Sequence, residues 1–451
     1  SAMVIIDYHN GQIKSLIGGR NVKGKRTLNR ATSPVQPGST IKPLSIYTAA
    51  IDTLEMTQST VFSDARGGYK FKENRKWNPS TTTAGAGNMS LRLGLAKSSN
   101  TVAVKTAENL GDTYEDSIDV MMDYLKNFGI TTVVDSKTNS SNTTDRSFPS
   151  LVLGGMAYGI SPLEMSAAYG ALANGGVYIE PTVFTTVSTY NGELIVKSSP
   201  EEHRVVDEEV AYVMTDMLKA VLTEGTGSDA SIGKMPVAGK TGTTNNKYCV
   251  WFVGYTPYYV GATYIGDDVG RKDSNGNKID LRPVEGSSST TAKLWANVMK
   301  PIHENLEVVD FEKPSGINFY KINLTDGGLS SYGSNAAFVK GTSPTRTSSY
   351  SVPTPSNTGT TQDEPTNDNA GDGDNPPDDN TDNNNGDNTN DNNNNNNQTP
   401  GGNQDDNNNG DNGNTGGGDN QDNTTPGDNG ETNTGGITDT NNATEALQPE
   451  Q

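Results

Sequence analysis

Gln36-Pro37-Gly38-Ser39-Thr40-Ile41-Lys42-Pro43 sets a serine and a lysine three residues apart, where the residues that follow take up helical spacing. Leu44, Tyr47, Ile51 and Leu54 recur near the 3.6-residue period, so the spacing predicts that Ser39 lies near the N-terminus of an amphipathic helix. Positions i and i+3 share a face, and Lys42 is therefore expected to point toward the Ser39 hydroxyl. A serine hydroxyl is a weak nucleophile until a neighbouring base takes its proton. A partly desolvated lysine can be that base, because burial favours its neutral form. The pair alone arises by chance roughly once or twice in a chain of this length, so its context decides the reading.

Two further stretches follow in order, Ser98-Ser99-Asn100 and Lys240-Thr241-Gly242-Thr243-Thr244. Together the three form a signature of penicillin-recognising active-site-serine enzymes. At this point the chain resembles the transpeptidase domain of a class A, bifunctional penicillin-binding protein. The resemblance extends through Asn29-Arg30-Ala31-Thr32, Leu153-Gly154-Gly155, Ser161-Pro162-Leu163-Glu164-Met165 and Ala173-Asn174-Gly175-Gly176. Gly225-Thr226-Gly227 and Trp251-Phe252-Val253-Gly254-Tyr255-Thr256-Pro257 flank the lysine motif as they do in the family, so the resemblance runs to about Thr345. Two positions depart from it. Val35 stands where the family usually has arginine, and Cys249 where an aspartate often precedes the tryptophan strand.

The resemblance implies a role for each motif residue. Ser39 would attack the carbonyl between the last two D-alanines of a peptidoglycan stem peptide, and Lys42 would take its proton. Ser98 would relay a proton to the departing amine, and Asn100 would hydrogen-bond the substrate amide. Lys240 would add positive charge near Ser98 and the terminal carboxylate, with Thr241 and Thr243 donating to that carboxylate. Gly242, having no Cβ, is read as letting substrate lie along the backbone as an added strand, in a binding stretch that runs on to Thr244. The implied oxyanion hole is the pair of N–H groups of Ser39 and Thr243. An amine of a second stem peptide would then take the acyl group, and β-lactam antibiotics would acylate Ser39 as covalent inhibitors. Three alternatives share these residues. A serine β-lactamase needs a deacylating glutamate, and no Glu-x-x-Leu-Asn pattern of the class A kind is present. A D,D-carboxypeptidase uses water as acceptor, and a silent wall-binding scaffold keeps the fold without turnover.

Composition divides the chain. The whole sequence holds 54 acidic and 34 basic residues; from Ser351 onward there are 20 acidic residues, no lysine or arginine and no aromatic residue, leaving 34 of each charge before it. The expected organisation is a transpeptidase domain over 1–345 and a low-complexity, Asn/Asp/Gly-rich acidic tail over 346–451. The tail has too little apolar surface to offset the entropy of ordering and is expected to be disordered, as a solvating spacer or a polymer that contacts the cell wall. The neutral domain shows no basic excess of the kind that binds nucleic acid. One cysteine precludes an intrachain disulfide, and His9, His203 and His303 are scattered, so neither a metal nor a cofactor is expected. Cys249 beside an apolar run reads as a packed thiol. No stretch reaches the roughly 18 to 20 apolar residues that cross a bilayer. The resemblance implies that a membrane anchor and a glycosyltransferase domain lie outside this chain, and that the domain works extracytoplasmically at the membrane and cell wall.

The predicted fold class is α+β, a central antiparallel sheet flanked by helices, with its strands drawn from both ends of the domain. Val4 to Ile6 and Ile13 to Leu16 flank the hairpin signal Asn10-Gly11. Helices are expected at Leu44–Leu54, Leu91–Leu95, Leu163–Ala173, Glu208–Leu222 and Thr291–Met299. Strands are expected at Met235–Lys240, Val250–Tyr255 and Tyr259–Ile265, with a small strand-rich appendage over Tyr320–Thr345. This architecture resembles the penicillin-recognising serine hydrolase fold.

Overall fold

Asn10-Gly11 turns the chain between β1 (Ala2–Asp7) and β2 (Gln12–Ile17), with Gly11 at φ +72°. In the computed structural model, which describes residues 1–350 apart from positions within 23–26, 54, 66–84, 138–142 and 269–278, this hairpin joins three later strands. They are β3 (Ala238–Thr243), β4 (Cys249–Tyr255) and β5 (Val260–Gly266). The order is β3-β4-β5-β1-β2, every neighbour antiparallel, with Lys240 opposite Val253, Gly254 opposite Gly261 and Met3 opposite Thr263. β3 is thus an edge of the sheet. The tail from residue 351 onward lies outside the described residues.

Side chains of a strand alternate between faces, and here both faces are buried. Val4, Ile6, Trp251, Val253 and Tyr255 join one core together with helices α6 (Pro162–Ala173) and α7 (Glu208–Thr223). Met3, Ile5 and Phe252 join a second core with Ala292, Trp295 and Met299 of α8 (Ser288–His303). This explains why Val250-Trp251-Phe252-Val253 is apolar without alternation. Burying a side chain such as Phe252 or Met299 contributes about 1.5–3 kcal/mol.

The remaining helices are α1 (Thr48–Asp52), α2 (Leu91–Ala96), α3 (Asn100–Glu108), α4 (Tyr114–Asn127) and α5 (Phe148–Leu153). Ser90 and Ser99 cap α2 and α3, while Thr113 with Asp116 and Ser161 with Glu164 form capping boxes on α4 and α6.

Four expectations shift. The single helix Leu44–Leu54 is a 3₁₀ turn (Gly38–Ile41), a π turn (Pro43–Tyr47) and then α1. Thr48 N–H bonds to the carbonyl of Pro43 five residues back, and Thr48 Oγ1 donates to the same oxygen at 2.7 Å, which widens that turn. Leu54 lies outside the described residues. β3 starts at Ala238 and not at Met235, which makes only an isolated bridge to Ile232. α8 runs past Met299 and through Pro301 to His303. Finally, the strand-rich segment expected over Tyr320–Thr345 is a hairpin that starts earlier, with Ile317–Ile322 pairing Ser334–Val339, and it is bonded into the core. Ala337 N–H donates to Asp216 Oδ2 at 3.0 Å, Gln58 Nε2 donates to the Ala337 carbonyl at 2.6 Å, and Arg92 Nη1 holds the same Asp216 oxygen at 2.7 Å. Phe338 is fully buried beside them.

Candidate active site

Ser39 sits in the 3₁₀ turn that begins at Gly38, and that turn is held from three sides. Tyr169 OH on α6 donates to the Thr40 carbonyl at 2.7 Å, Trp251 Nε1 on β4 donates to the Gln36 carbonyl at 2.8 Å, and Gln36 Nε2 donates to the Met156 carbonyl at 2.6 Å. Gly154, the C-cap of α5, lies at φ +76°, and a Cβ there would come within 2.3 Å of the Gly38 carbonyl oxygen. Both its backbone conformation and its closeness require glycine. Val35 also has a main-chain task, exchanging hydrogen bonds with Ile160 at 3.2 and 2.9 Å.

Lys42 follows at the end of the turn with its side chain fully buried. Its Nζ donates to Asn100 Oδ1 at 2.6 Å, to the Ser98 carbonyl at 3.0 Å and to the Ser99 carbonyl at 3.4 Å. The expected contact with the Ser39 hydroxyl is not among its hydrogen bonds, because the amine is taken up by the Ser98–Asn100 turn. Burial, followed by the nearby charge of Lys240, holds the Lys42 ammonium well below the usual lysine range.

The Ser98-Ser99-Asn100 turn joins α2 to α3. Ser98 lies at φ +58°, an uncommon conformation for a residue with a side chain. The Ser99 hydroxyl accepts the Val102 N–H at 3.1 Å as the N-cap of α3, and donates to Asp64 Oδ1 at 2.5 Å. Lys240, fully buried on β3, reaches across to donate to Ser98 Oγ at 2.9 Å and to the Thr241 carbonyl at 2.9 Å. Burial pulls its pKa down to about 7. Residues 42, 98, 100 and 240 therefore form one polar cluster.

The rest of the lysine motif is placed as follows. Thr241 Oγ1 and Thr226 Oγ1 lie 2.6 Å apart. Thr243 is exposed at the end of β3. The Thr244 hydroxyl accepts the Cys249 N–H at 2.9 Å and so serves the β3–β4 turn. A Cβ on Gly242 would approach the Pro37 carbonyl oxygen and Thr40 Cγ2 at 2.8 Å each. The missing Cβ thus makes room for Pro37 and Thr40 of the same chain, in the place where a substrate strand was expected. Among the described residues no strand pairs with the outer edge of β3.

Ser39, Asn100, Thr243, Thr244, Tyr158 and Tyr248 line an open cavity of about 460 Å³. A larger opening of about 580 Å³, between Tyr8, Arg204, Tyr212 and Lys313, holds none of Ser39, Lys42, Ser98, Asn100 and residues 240–244, so size does not mark the site. Cys249 borders the first cavity, buried, with its Sγ 3.9 Å from Tyr264 OH, and burial pushes its thiol pKa up. Among the described residues no cluster of His, Cys, Asp or Glu could hold a metal ion, and no helix is long and apolar enough to cross a membrane. Sequence reasoning missed Asp64 and the pairing of Thr226 with Thr241. A lone aspartate outside any motif gives no signal, whereas Thr226 is visible in the sequence only as a flanking residue.

Comparison with known proteins identifies the family of the chain. Residues 1–278 match the family model for the penicillin binding protein transpeptidase domain. Penicillin-binding protein 1A of Clostridium botulinum (strain Langeland) is 35% identical over 364 residues, covering 76% of this chain and 41% of the relative. Penicillin-binding protein 1A of Aquifex aeolicus is 33% identical over 349 residues, covering 76% and 44%. The chain thus spans about two fifths of the length of these curated relatives. The crystal structure of penicillin-binding protein 1A from Haemophilus influenzae superposes with a TM-score of 0.64 at 27% identity, covering 77% of this chain and 54% of that one. PonA1 of Mycobacterium tuberculosis, solved in complex with penicillin V, shares the fold with a TM-score of 0.54 at 22% identity, covering 70% of this chain and 80% of that one. On the match over residues 1–278, this chain belongs to the penicillin-binding protein transpeptidase domain family.

Proposed function

We propose that this domain is a serine D,D-transpeptidase that cross-links peptidoglycan stem peptides outside the cytoplasmic membrane. The observation that carries the reading is the buried Lys42 Nζ, 2.6 Å from Asn100 Oδ1 and 3.0 Å from the Ser98 carbonyl, three residues after a serine that opens onto a cavity. Its depressed basicity leaves a neutral amine available at a pH where an exposed lysine would be charged.

The donor stem peptide lies along the open edge of β3, with its terminal carboxylate toward the hydroxyls of Thr241 and Thr243 and the charge of Lys240. Ser39 Oγ attacks the carbonyl of the penultimate D-alanine while its proton passes to Lys42 Nζ. The tetrahedral oxyanion is held by the N–H groups of Ser39 and Thr243; losing one such donor typically lowers the rate by about 10²–10³. The C–N bond then breaks, and the leaving D-alanine amine takes the Ser98 hydroxyl proton, which Lys240 replaces across their 2.9 Å hydrogen bond. Asn100 holds the substrate amide. An amine of a second stem peptide attacks the Ser39 ester, its proton passing through Ser98 to the now neutral Lys240, while Lys42 returns its proton to Ser39 Oγ as the ester bond breaks; this gives the cross-link and restores serine and both lysines. β-Lactams present a strained amide to the same serine and acylate it.

The test is intact-protein mass spectrometry with a fluorescent penicillin, followed by a purified pentapeptide donor with an amine acceptor. A stable single adduct, absent in Ser39→Ala, and a cross-linked product with release of D-alanine are expected. A rapidly clearing adduct would mean a β-lactamase, a hydrolysed peptide alone a carboxypeptidase, and an adduct surviving in Ser39→Ala would remove Ser39 as nucleophile.

A further inference from the structure

Asp64 is fully buried just after the strand Val61–Ser63, and the mechanism above does not use it. Its main-chain N–H donates to the Gly87 carbonyl at 2.8 Å. Its Oδ1 accepts the Ser99 hydroxyl at 2.5 Å, while its Oδ2 is buried without a hydrogen-bond partner among the described residues. A buried carboxylate that is only half satisfied is costly, and an apolar residue would spare that cost. The position of its one side-chain bond shows what that cost supports.

Ser99 is the middle residue of the turn that holds Lys42. Its oxygen already accepts Val102 N–H to cap α3, so the direction of its one proton fixes the rotamer, and that proton goes to Asp64. The residues on either side of the clamp, together with Ser99 itself, supply every acceptor of Lys42 Nζ: the carbonyls of Ser98 and Ser99 and Oδ1 of Asn100. Ser98, held at φ +58°, needs surroundings that over-determine it. Tyr47, at the end of the π turn that follows Lys42, brings a second buried polar atom without a partner among the described residues, and the Asp64 charge pushes its phenol pKa up, after burial.

We propose that Asp64 is a positioning residue for acylation: through the Ser99 hydroxyl it locks the Ser98–Asn100 turn so that its three oxygens converge on Lys42 Nζ. The inference rests on the reading of Ser39 and Lys42 as nucleophile and base. A hydrogen bond to a buried carboxylate of this kind corresponds to about 10- to 100-fold in rate when its geometry serves the chemistry.

The experiment follows acylation of the full chain by a fluorescent penicillin over a concentration series, separating the dissociation constant of the non-covalent complex from the first-order acylation constant. Asp64→Asn, Asp64→Leu, Ser99→Ala and the Asp64→Leu/Ser99→Ala double variant are compared, with Ser39→Ala as control and thermal unfolding alongside. Asp64→Leu and Ser99→Ala are each expected to lower the acylation constant about tenfold or more with the dissociation constant within about twofold. Asp64→Asn, which keeps an acceptor for Ser99, is expected to stay within about threefold of the parent. The double variant is expected to fall no further than Ser99→Ala alone, because that change already removes the Asp64 bond along with the Val102 cap. Additive losses would mean that Asp64 acts elsewhere and would overturn the proposal, as would equal weakening of both constants. Should Asp64→Leu fail to fold, Ser99→Ala decides: acylation at the parent rate sinks the idea. Labelling that persists in Ser39→Ala would instead refute the underlying functional reading.

Discussion

Lys240 Nζ lies 2.9 Å from Ser98 Oγ, a hydrogen bond that joins an edge strand to a turn 142 residues earlier in the chain. Lys42 reaches the same residue from the other side, at its carbonyl, 3.0 Å away. Two fully buried lysines therefore share one serine, and among the described residues neither has a carboxylate as a hydrogen-bond partner. Burial disfavours a cation without a compensating charge, so both amines lose their protons more readily than an exposed lysine does.

The first prediction concerns stability. Burial lowers the Lys240 pKa to about 7 in the folded chain, against an ordinary value of 10.5. Below pH 7 the group is charged in both states and the fold bears the whole desolvation cost. Between pH 7 and about 10 the folded state has lost the proton while the unfolded chain keeps it, so stability rises with pH. Lys240→Met is expected to unfold at a higher temperature than the parent at pH 6, by about 1–4 kcal/mol in stability, with the gap narrowing toward pH 9.5. Calorimetry across that range checks it, and a gap that ignores pH would refute the assignment.

The second concerns the acid limb of acylation. Burial first and the Lys240 charge second hold Lys42 well below the lysine range. Because a base must be neutral, the second-order rate of penicillin acylation is expected to rise with pH through a midpoint well under 10.5. Removing the neighbouring cation relieves the repulsion, so the midpoint in Lys240→Met is expected to move to higher pH, whatever happens to the absolute rate. A midpoint that stays put or moves down would show that the two lysines are uncoupled.

Much of this site was legible in the sequence, for a physical reason. Ser39, Lys42, Ser98, Asn100 and the Lys240 stretch occur at short, fixed local spacings, and a fully buried strand such as β4 declares itself as an unbroken apolar run. What stayed hidden depends on long-range contacts. Helical periodicity placed Lys42 beside Ser39, yet its amine is bound by a turn 56 to 58 residues away. Gly242 looked like room for a ligand, whereas its space is filled by Pro37 and Thr40. The final hairpin looked peripheral, because nothing local announces that Ala337 will be met by Asp216 and Gln58.

The third prediction uses those glycine contacts. A methyl group on Gly242 would lie 2.8 Å from the Pro37 carbonyl oxygen, and one on Gly154 would lie 2.3 Å from the Gly38 carbonyl oxygen at a positive φ. Both neighbours are backbone of the nucleophile turn and cannot swing aside as a side-chain tip would. Gly242→Ala and Gly154→Ala are each expected to lower acylation by about 10²-fold, since misplacement of about 1 Å has that effect. Gly154→Ala should also lose roughly 1–3 kcal/mol of stability from its strained backbone. Acylation by Gly242→Ala at the parent rate would show that the turn has slack.

The last prediction concerns the link between the final hairpin and the core. Arg92 Nη1 donates to Asp216 Oδ2 at 2.7 Å and Arg92 Nε to Glu224 Oε1 at 3.2 Å, with the arginine almost wholly buried. The same Asp216 oxygen also accepts Ala337 N–H and Gln58 Nε2, so one carboxylate joins α2, α7 and the strand Ser334–Val339. Arg92→Met fills the volume but leaves that carboxylate buried without its cation, which typically costs about 3–5 kcal/mol. Replacing both partners, as Arg92→Met with Asp216→Leu, removes the orphaned charge and is expected to recover part of the loss. Hydrogen exchange gives the decisive readout. In Arg92→Met the Ala337 amide should exchange at least about tenfold faster, while amides in the middle of β4 change little, because the damage is confined to one attachment. Uniform acceleration across β4 and the hairpin would mean that the ion pair supports the whole domain and not this junction.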